Sequence, residues 1–412
     1  MQIVDTLYIQ HFILSSNDPK VKGFTRYPVF THYFRDRMKI AVNTRLLLKN
    51  KIEGIGRFSE ETLKRITANM PEHEFLFIFD REWHDDFMFS KNITPISVAP
   101  PTRHPFLMYA WFEWMIPPVL RKNNCDLFLS PDGHISLNSD IKQLPVIHDL
   151  NFEHYPKLLP KTVRNYYKFY FPKYAAAASR IATVSEYSAN DIANRYKIER
   201  SKIDVVYNGV SSEFMPLSEN EIHATRKRFS AGAPYFVYAG ALQPRKNIDG
   251  LLKAFEHFKN SGDFPHKLVL VGEKRWWGGS AAVIYEKMAH QRDVIFTGRL
   301  NGADLNCALS ASTALVYVSL FEGFGIPILE AMAAETAVIT SGITSMPEVA
   351  GNAALKVSPF DSKNIAEAMK SLAADPQLRK ELIEKGKERK NVFTWDRTAN
   401  LLGESIEKVL GK

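Results

Sequence analysis

The sequence predicts two α/β domains, each a parallel sheet covered by helices. Three observations carry this. From Met38 onward, short apolar runs rich in β-branched and aromatic residues alternate with stretches of helical periodicity, the pattern of strands buried on both faces. The pattern breaks at "NGVSSEFMPLSE" and then begins again. The length of 412 residues, 45% of them hydrophobic, is also too great for one ordinary core.

The first set of strands reads "KIAVN", "EFLFIFD", "DLFLSP", "LPVIHDL", "RIATVS" and "IDVVYNG". Gly209, Ser211, Ser212 and Pro216 then interrupt the periodicity before a charged helix, placing a domain boundary at 210–218. The second set reads "YFVYAG", "KLVLVG", "VIFTGR", "TALVYVS", "AVITSG" and "ALKVSP". Leu401, Leu402, Ile406 and Val409 share one helical face in the closing segment. The expected organisation is an appended extension over 1–37, a first domain over 38–215, a second over 216–393, and a C-terminal helix over 394–412 packing back on the body. A ligand cleft is expected between the domains, at the carboxyl ends of both sheets.

The balance of 53 Lys+Arg against 45 Asp+Glu, a net +8, favours anionic partners such as nucleotide phosphates, acidic polymers or a lipid surface. Cys125 and Cys307 are too few for a disulfide framework or a thiolate metal site, which suits a reducing cytoplasm. Asp5, Gln10 and His11 interrupt the apolar start "MQIVDTLYIQHFIL", making it a poor signal-peptide core and too short to span a bilayer.

The chemistry concentrates at "FEGFGIPILEAMA", directly after the "TALVYVS" strand. With Pro327 near the first helical position, the turn Glu322-Gly323-Phe324-Gly325 exposes backbone N–H groups at a helix N-terminus, an anion site. Glu322 and Glu330 add acceptors for hydroxyl groups on either side, which suits a diphosphate between two polyhydroxylated rings. The alternative remains open that Glu322 caps the helix, Glu330 is solvated and the glycines merely turn the chain. Arg245 and Lys246 stand before a helix expected to start near Ile248, where the helix dipole favours acids. Two cations there suit a large anion, such as a departing nucleoside diphosphate; a solvated basic loop is the alternative.

"RKN" after a glycine-ended strand, together with "EGFGIPILEAMA", resembles the large retaining glycosyltransferase family of two Rossmann-like domains facing each other across a cleft, the GT-B type that includes sucrose and mannosyl transferases. "TSMPEVAGNAAL", "VIHDLNFEHYP", "TVSEYSANDI" and "VVYNGV" add to the likeness, which covers roughly residues 38–412. The resemblance implies that Glu330 holds the ribose hydroxyls of a nucleotide-sugar donor and Glu322 a hydroxyl of its sugar. It further implies that Gly323, Phe324 and Gly325 line the sugar and phosphate site, that Arg245 and Lys246 bind the diphosphate, and that Arg299 in "TGRL" lies beside the nucleobase. Gly54 and Gly56 of "EGIGRF" match, more loosely, the glycine loop that approaches donor and acceptor. His148 would contact the sugar or the reacting centre, with a structural strand-end histidine as the alternative; for Asp149, turn-making or capping stands beside catalysis.

The implied activity is transfer of a hexose such as mannose or glucose, with retention, to a saccharide or lipid-linked saccharide acceptor in surface glycan synthesis. No cofactor is expected: the chain has no Asp-any-Asp pair for a metal-diphosphate, and "HDD" at His84–Asp86 reads as a surface turn. No nucleic acid partner is expected either. The segment "PKTVRNYYKFYFPKYAAAASR" reads as a helix packing its aromatics inward, with a basic aromatic face for peripheral membrane contact as the second reading. Trp276 and Trp277 suit a sugar-site floor or packing under a glycine loop. A non-catalytic sugar-nucleotide-binding protein and a nucleotide-sugar epimerase of the same architecture are the alternative functions.

Overall fold

A computed structural model of the chain describes residues 37–49, 52, 54–274 and 277–411. The expected extension, but for Arg37, and Trp276 lie outside the described residues. The first sheet contains β1 (Lys39–Asn43), β2 (Glu74–Phe79), β3 (Ile93–Ser97), β4 (Leu127–Ser130) and β5 (Lys142–Pro145), all parallel, in the order β3-β2-β1-β4-β5. A parallel bridge from Val146 to Ala182 attaches a further pair, β6 (Ile181–Thr183) and β7 (Ile203–Val205). The second sheet contains β8 (Tyr235–Ala239), β9 (Lys267–Val271), β10 (Val294–Gly298), β11 (Ala314–Tyr317), β12 (Val338–Ser341) and β13 (Leu355–Val357). Its order, β10-β9-β8-β11-β12-β13, reverses direction between β8 and β11, which opens a crevice at their carboxyl ends. Central strands are continuous apolar runs because helices cover both faces; Ile40, Ala41, Val42, Leu268, Val269 and Leu270 have no exposed surface.

Two strand readings needed the structure. β3, "ITPIS", carries Pro95, which lacks an N–H, and is tolerated because the strand is an edge and only partly buried. The run "LPVIHDL" is not one strand: β5 ends at Pro145, and His148 lies in the loop beyond it.

The helix Trp395–Leu410 leaves the second domain and packs on the first. Arg65 Nε meets Asp396 Oδ1 at 2.6 Å, Lys142 Nζ donates to the Val409 carbonyl at 2.7 Å, and Lys408 Nζ lies 3.1 Å from Asp204. Trp395, Leu402, Ile406 and Val409 are buried there. Gly209 makes the crossing possible, since a Cβ on it would stand 2.3 Å from the Trp395 nitrogen. The aromatic helix Lys161–Ala177 buries Tyr166, Phe171 and Tyr174 inward, as the packing reading requires.

Candidate functional site

After β11 the chain turns through Glu322–Gly325 and enters the helix Ile326–Ala333, with Pro327 in its first turn. Gly325 has φ +102°, a left-handed conformation that favours glycine at this N-cap. Gly323 is required for a different reason: a Cβ there would lie 2.6 Å from both the Asp149 Cβ and the His148 carbonyl. The walls of the two domains therefore touch at this residue. Its carbonyl accepts from Ser185 Oγ at 2.7 Å and Ser188 Oγ at 3.2 Å, both on the first-domain side.

Glu322 does not cap the helix. Its Oε1 accepts from Lys246 Nζ at 2.6 Å and from the Tyr317 hydroxyl at 2.9 Å, and its Oε2 lies 3.1 Å from Arg245 Nη1. Arg245 also donates to the Phe321 carbonyl. Burial alone would raise the Glu322 pKa, but the Lys246 and Arg245 charges outweigh it and hold the carboxyl at about 2. Burial pulls the Lys246 ammonium below its ordinary value despite the Glu322 charge, while Arg245 is raised chiefly by Glu322 against the effect of burial. The site thus holds Glu322 as an anion.

Asn247 holds this arrangement. At φ +59° its Oδ1 accepts from Gly250 N and so caps the helix Ile248–Asn260, while its Nδ2 donates to the carbonyls of Val318 and Pro359 at 3.0 and 2.7 Å. Asparagine tolerates that left-handed backbone better than most residues. The "RKN" triplet is therefore two cations on a polar anchor.

These groups border a cavity of about 850 Å³ between the domains. Lys246, Glu322, Gly323, Phe324, Gly325 and Glu330 line it from the second domain, with Arg299. Gly54, His148 and Asp149 line it from the first. Two expected residues are not on the cavity wall: Arg245 pairs with Glu322, and Gly56 packs on the Leu46 carbonyl, which a Cβ would approach to 2.8 Å.

His148 directs Nε2 at the Pro131 carbonyl, 2.8 Å away. A carbonyl can only accept, so Nε2 carries the hydrogen and Nδ1 keeps its lone pair. Burial, the largest influence, lowers the pKa of this imidazole. Asp149 does the turn-making work: its Oδ1 accepts from Asn151 N at 2.9 Å. Glu330 has no side-chain hydrogen-bond partner among the described residues, and burial pushes its carboxyl up to about 7 against the nearby charge of Arg57. Arg57, also on the cavity wall, was not singled out from sequence; its place one turn into the helix Gly54–Asn69 is the signal that could have found it.

Glu348 of "TSMPEVAG" reaches across the cleft. Its carboxylate accepts from Glu186 N at 2.8 Å and Tyr187 N at 3.2 Å, at the N-terminus of the first-domain helix Glu186–Tyr196. Beside it, Phe321 packs its ring on His154, with centroids 4.6 Å apart. Among the described residues no three His, Cys, Asp or Glu side chains gather as metal ligands, and His84–Asp86 is a short turn in which Asp86 N donates to His84 Nδ1 at 3.2 Å. Trp277 packs on Phe296 and Tyr285, with centroids 4.8 and 5.7 Å away.

Comparison with known proteins agrees with this geometry. The family Glycosyl transferases group 1 matches residues 220–389, and Glycosyltransferase Family 4 matches residues 53–214. The O-antigen chain mannosyltransferase B of Escherichia coli is 26% identical over 85% of this chain and 94% of its own. The O-antigen chain mannosyltransferase RfbU of Salmonella typhimurium is 30% identical over 66% of this chain and 72% of its own. Sucrose-phosphate synthase from Thermosynechococcus elongatus shares the fold, with a TM-score of 0.71 at 19% identity over 90% of this chain and 99% of that one. With two parallel-sheet domains and most of the motif residues on one inter-domain cavity, the chain belongs to the group 1 glycosyl transferases and is a glycosyltransferase of the GT-B type.

Proposed function

We propose that the protein transfers a hexose, mannose foremost, from a nucleotide-diphosphate sugar to a saccharide or lipid-linked saccharide during synthesis of a surface glycan, with retention at the anomeric carbon. The names of the two O-antigen relatives support the sugar and the pathway class. The observation that carries the donor reading is the convergence of Lys246, Arg245 and Tyr317 on Glu322 beside the glycine turn.

In this reading the diphosphate lies against Lys246 and the N–H groups of the Gly323–Gly325 turn, and Glu330 accepts from the ribose hydroxyls. The sugar sits between Glu322 and His148, whose Nδ1 accepts from a hydroxyl. As the bond from the anomeric carbon to the phosphate oxygen breaks, Lys246, supported by Arg245, offsets the charge growing on the diphosphate. The acceptor oxygen attacks the same face and its proton passes to the departing phosphate oxygen, so atoms and charge balance. Glu322, with its pKa at about 2, stays ionised throughout and serves as acceptor and counter-charge rather than proton shuttle. Side-chain cations do the work here that a metal does elsewhere, so a chelator should leave the rate unchanged. We place the reaction in the cytoplasm; no helix among the described residues is long and apolar enough to cross a membrane.

The test is a thermal-shift screen of UDP, GDP, ADP and their sugars, followed by hydrolysis and transfer assays on whichever stabilises the protein. Stabilisation with sugar release supports the reading. Stabilisation without turnover would make it a binding protein, product without acceptor an epimerase, and a trapped covalent glycosyl-enzyme would overturn the single-face mechanism.

A further inference from the structure

We propose that the first domain docks on an anionic lipid bilayer through an exposed aromatic ridge that the donor site does not use. The ridge is continuous. Phe106 meets Trp114 with ring centroids 6.3 Å apart, Trp114 meets Tyr109 at 5.4 Å, Tyr109 meets Tyr170 at 5.7 Å, and Tyr170 meets Phe169 at 4.9 Å. Phe106, Trp114 and Phe169 are 60%, 50% and 55% exposed, far beyond what scattered surface hydrophobics require.

These rings are not misplaced core. The two elements that carry them have already buried their inward faces: Trp111 and Phe112 lie beneath one, Phe171 and Tyr174 beneath the other. A π-helical turn, Trp111–Met115, sets the division. It points Glu113 inward, where its carboxylate accepts from Leu137 N at 2.8 Å and Asn138 N at 3.0 Å, and leaves Trp114 and Met115 outward. Glu113 thereby holds the part-exposed Leu137 beside the ridge.

Charge selects the occupant. Segments 101–122 and 156–180, which build the ridge, contain nine Lys and Arg residues and a single acid, the buried Glu113; Lys168 and Arg180 pair with Glu153 and Asp204 of neighbouring elements, which leaves the positive charge in excess. Lys173 Nζ sits 3.5 Å from the centre of the Phe169 ring, so cation and apolar surface face the same way. A second copy of this surface would bring like charges together. Outward Trp, Tyr and Phe rimmed by Lys and Arg match the interfacial layer of a bilayer whose headgroups are anionic. The surface goes beyond the donor reading and stands without it.

The experiment uses the full chain with vesicles of phosphatidylcholine alone or mixed with phosphatidylglycerol. Co-sedimentation with the mixed vesicles is expected, weak with the neutral ones and reduced by added salt. The triple variant Phe106→Ser, Trp114→Ser, Phe169→Ser should lower the partition coefficient by about tenfold or more. Its far-UV circular dichroism and its lipid-free donor hydrolysis should match the parent, which separates loss of docking from loss of fold or of donor binding. A photo-crosslinker replacing Trp114 should label lipid. The proposal is overturned by absent vesicle binding, by binding indifferent to headgroup charge, by a triple variant that still binds, or by crosslinking to a second copy, to nucleic acid or to residues 1–36 of the same chain.

Discussion

Each domain buries a cation against a carboxylate at the carboxyl end of its sheet, yet the two clusters differ in access. In the first domain Arg45 Nε lies 2.5 Å from Asp132 Oδ2, and Asn43 Nδ2 donates to Asp132 Oδ1 at 2.9 Å. Burial would raise the Asp132 pKa, but Arg45 and then His134 hold it far below the usual range. His134 is stacked between Phe112 and Tyr166, with centroids 5.3 and 6.1 Å away, and neither Arg45 nor Asp132 lines the inter-domain cavity. In the second domain the same electrostatics, Lys246 and Arg245 on Glu322, stand beside the turn that holds Gly323 and Gly325, and Lys246 and Glu322 line the cavity. A buried ion pair is weak evidence of function. What sets the second pair apart is that Lys246 and Glu322 line the inter-domain cavity.

The comparison breaks first at Lys246. Lys246→Ala should lower transfer by roughly 10³-fold with melting temperature little changed, since Glu322 keeps Arg245 and Tyr317; Glu322→Ala should likewise abolish transfer. Steady-state kinetics showing near-normal turnover in either variant would remove the diphosphate assignment. The first-domain cluster should answer the other way. Asp132→Asn leaves Arg45 buried without its counter-charge and should cost about 3 kcal/mol in urea unfolding, while turnover per folded molecule stays within about threefold. A large loss of turnover at unchanged stability would show that Asp132 acts through the neighbouring Pro131 carbonyl on His148.

Gly323→Ala tests the backbone rather than the charges. The added methyl would meet both the Asp149 Cβ and the His148 carbonyl, so the domain contact must open; turnover should fall about tenfold at a stability cost of about 1–3 kcal/mol. The smallest effect belongs to Glu330. Its pKa is raised from 4.5 to about 7, so its burial costs the folded state nothing below about pH 4.5, progressively more as pH rises from there towards about 7, and the full amount above that. Glu330→Gln should therefore raise the unfolding free energy at about pH 8 by on the order of 1–2 kcal/mol, leave it unchanged near pH 4, and weaken donor binding at both. Stabilisation at low pH instead would reverse the sign of the burial effect.

Legibility tracked the range of the interaction. The apolar runs of β1, β2, β4 and β8 to β13 stood out because each is continuous and flanked by helical periodicity. β3 did not, since Pro95 and half-buried positions erase that signal. The glycine turn and Pro327 announced a helix N-terminus from thirteen consecutive residues. The partner of Glu322 was invisible because Lys246 is 76 positions away, as was the Arg45 to Asp132 pair, 87 apart. Gly56, whose spacing matched a ligand loop, is spent on close packing against Leu46. The aromatic helix hid its division of labour: periodicity gave the inward rings, but the exposed ridge joins Phe169, through Tyr170, to rings about sixty residues earlier in the chain.

By itself the sequence determined the two parallel-sheet domains, the helix starts beside the cleft and the residue types gathered there, because periodicity, turn geometry and capping are settled among near neighbours in the chain. Only the tertiary structure decided that Glu322 is an anion clasped by two cations, that Lys246 lines the cavity while Arg245 does not, and that the C-terminal helix crosses to the first domain. Those outcomes depend on burial and on distances between remote segments, which fix charge state and access only once the chain has packed.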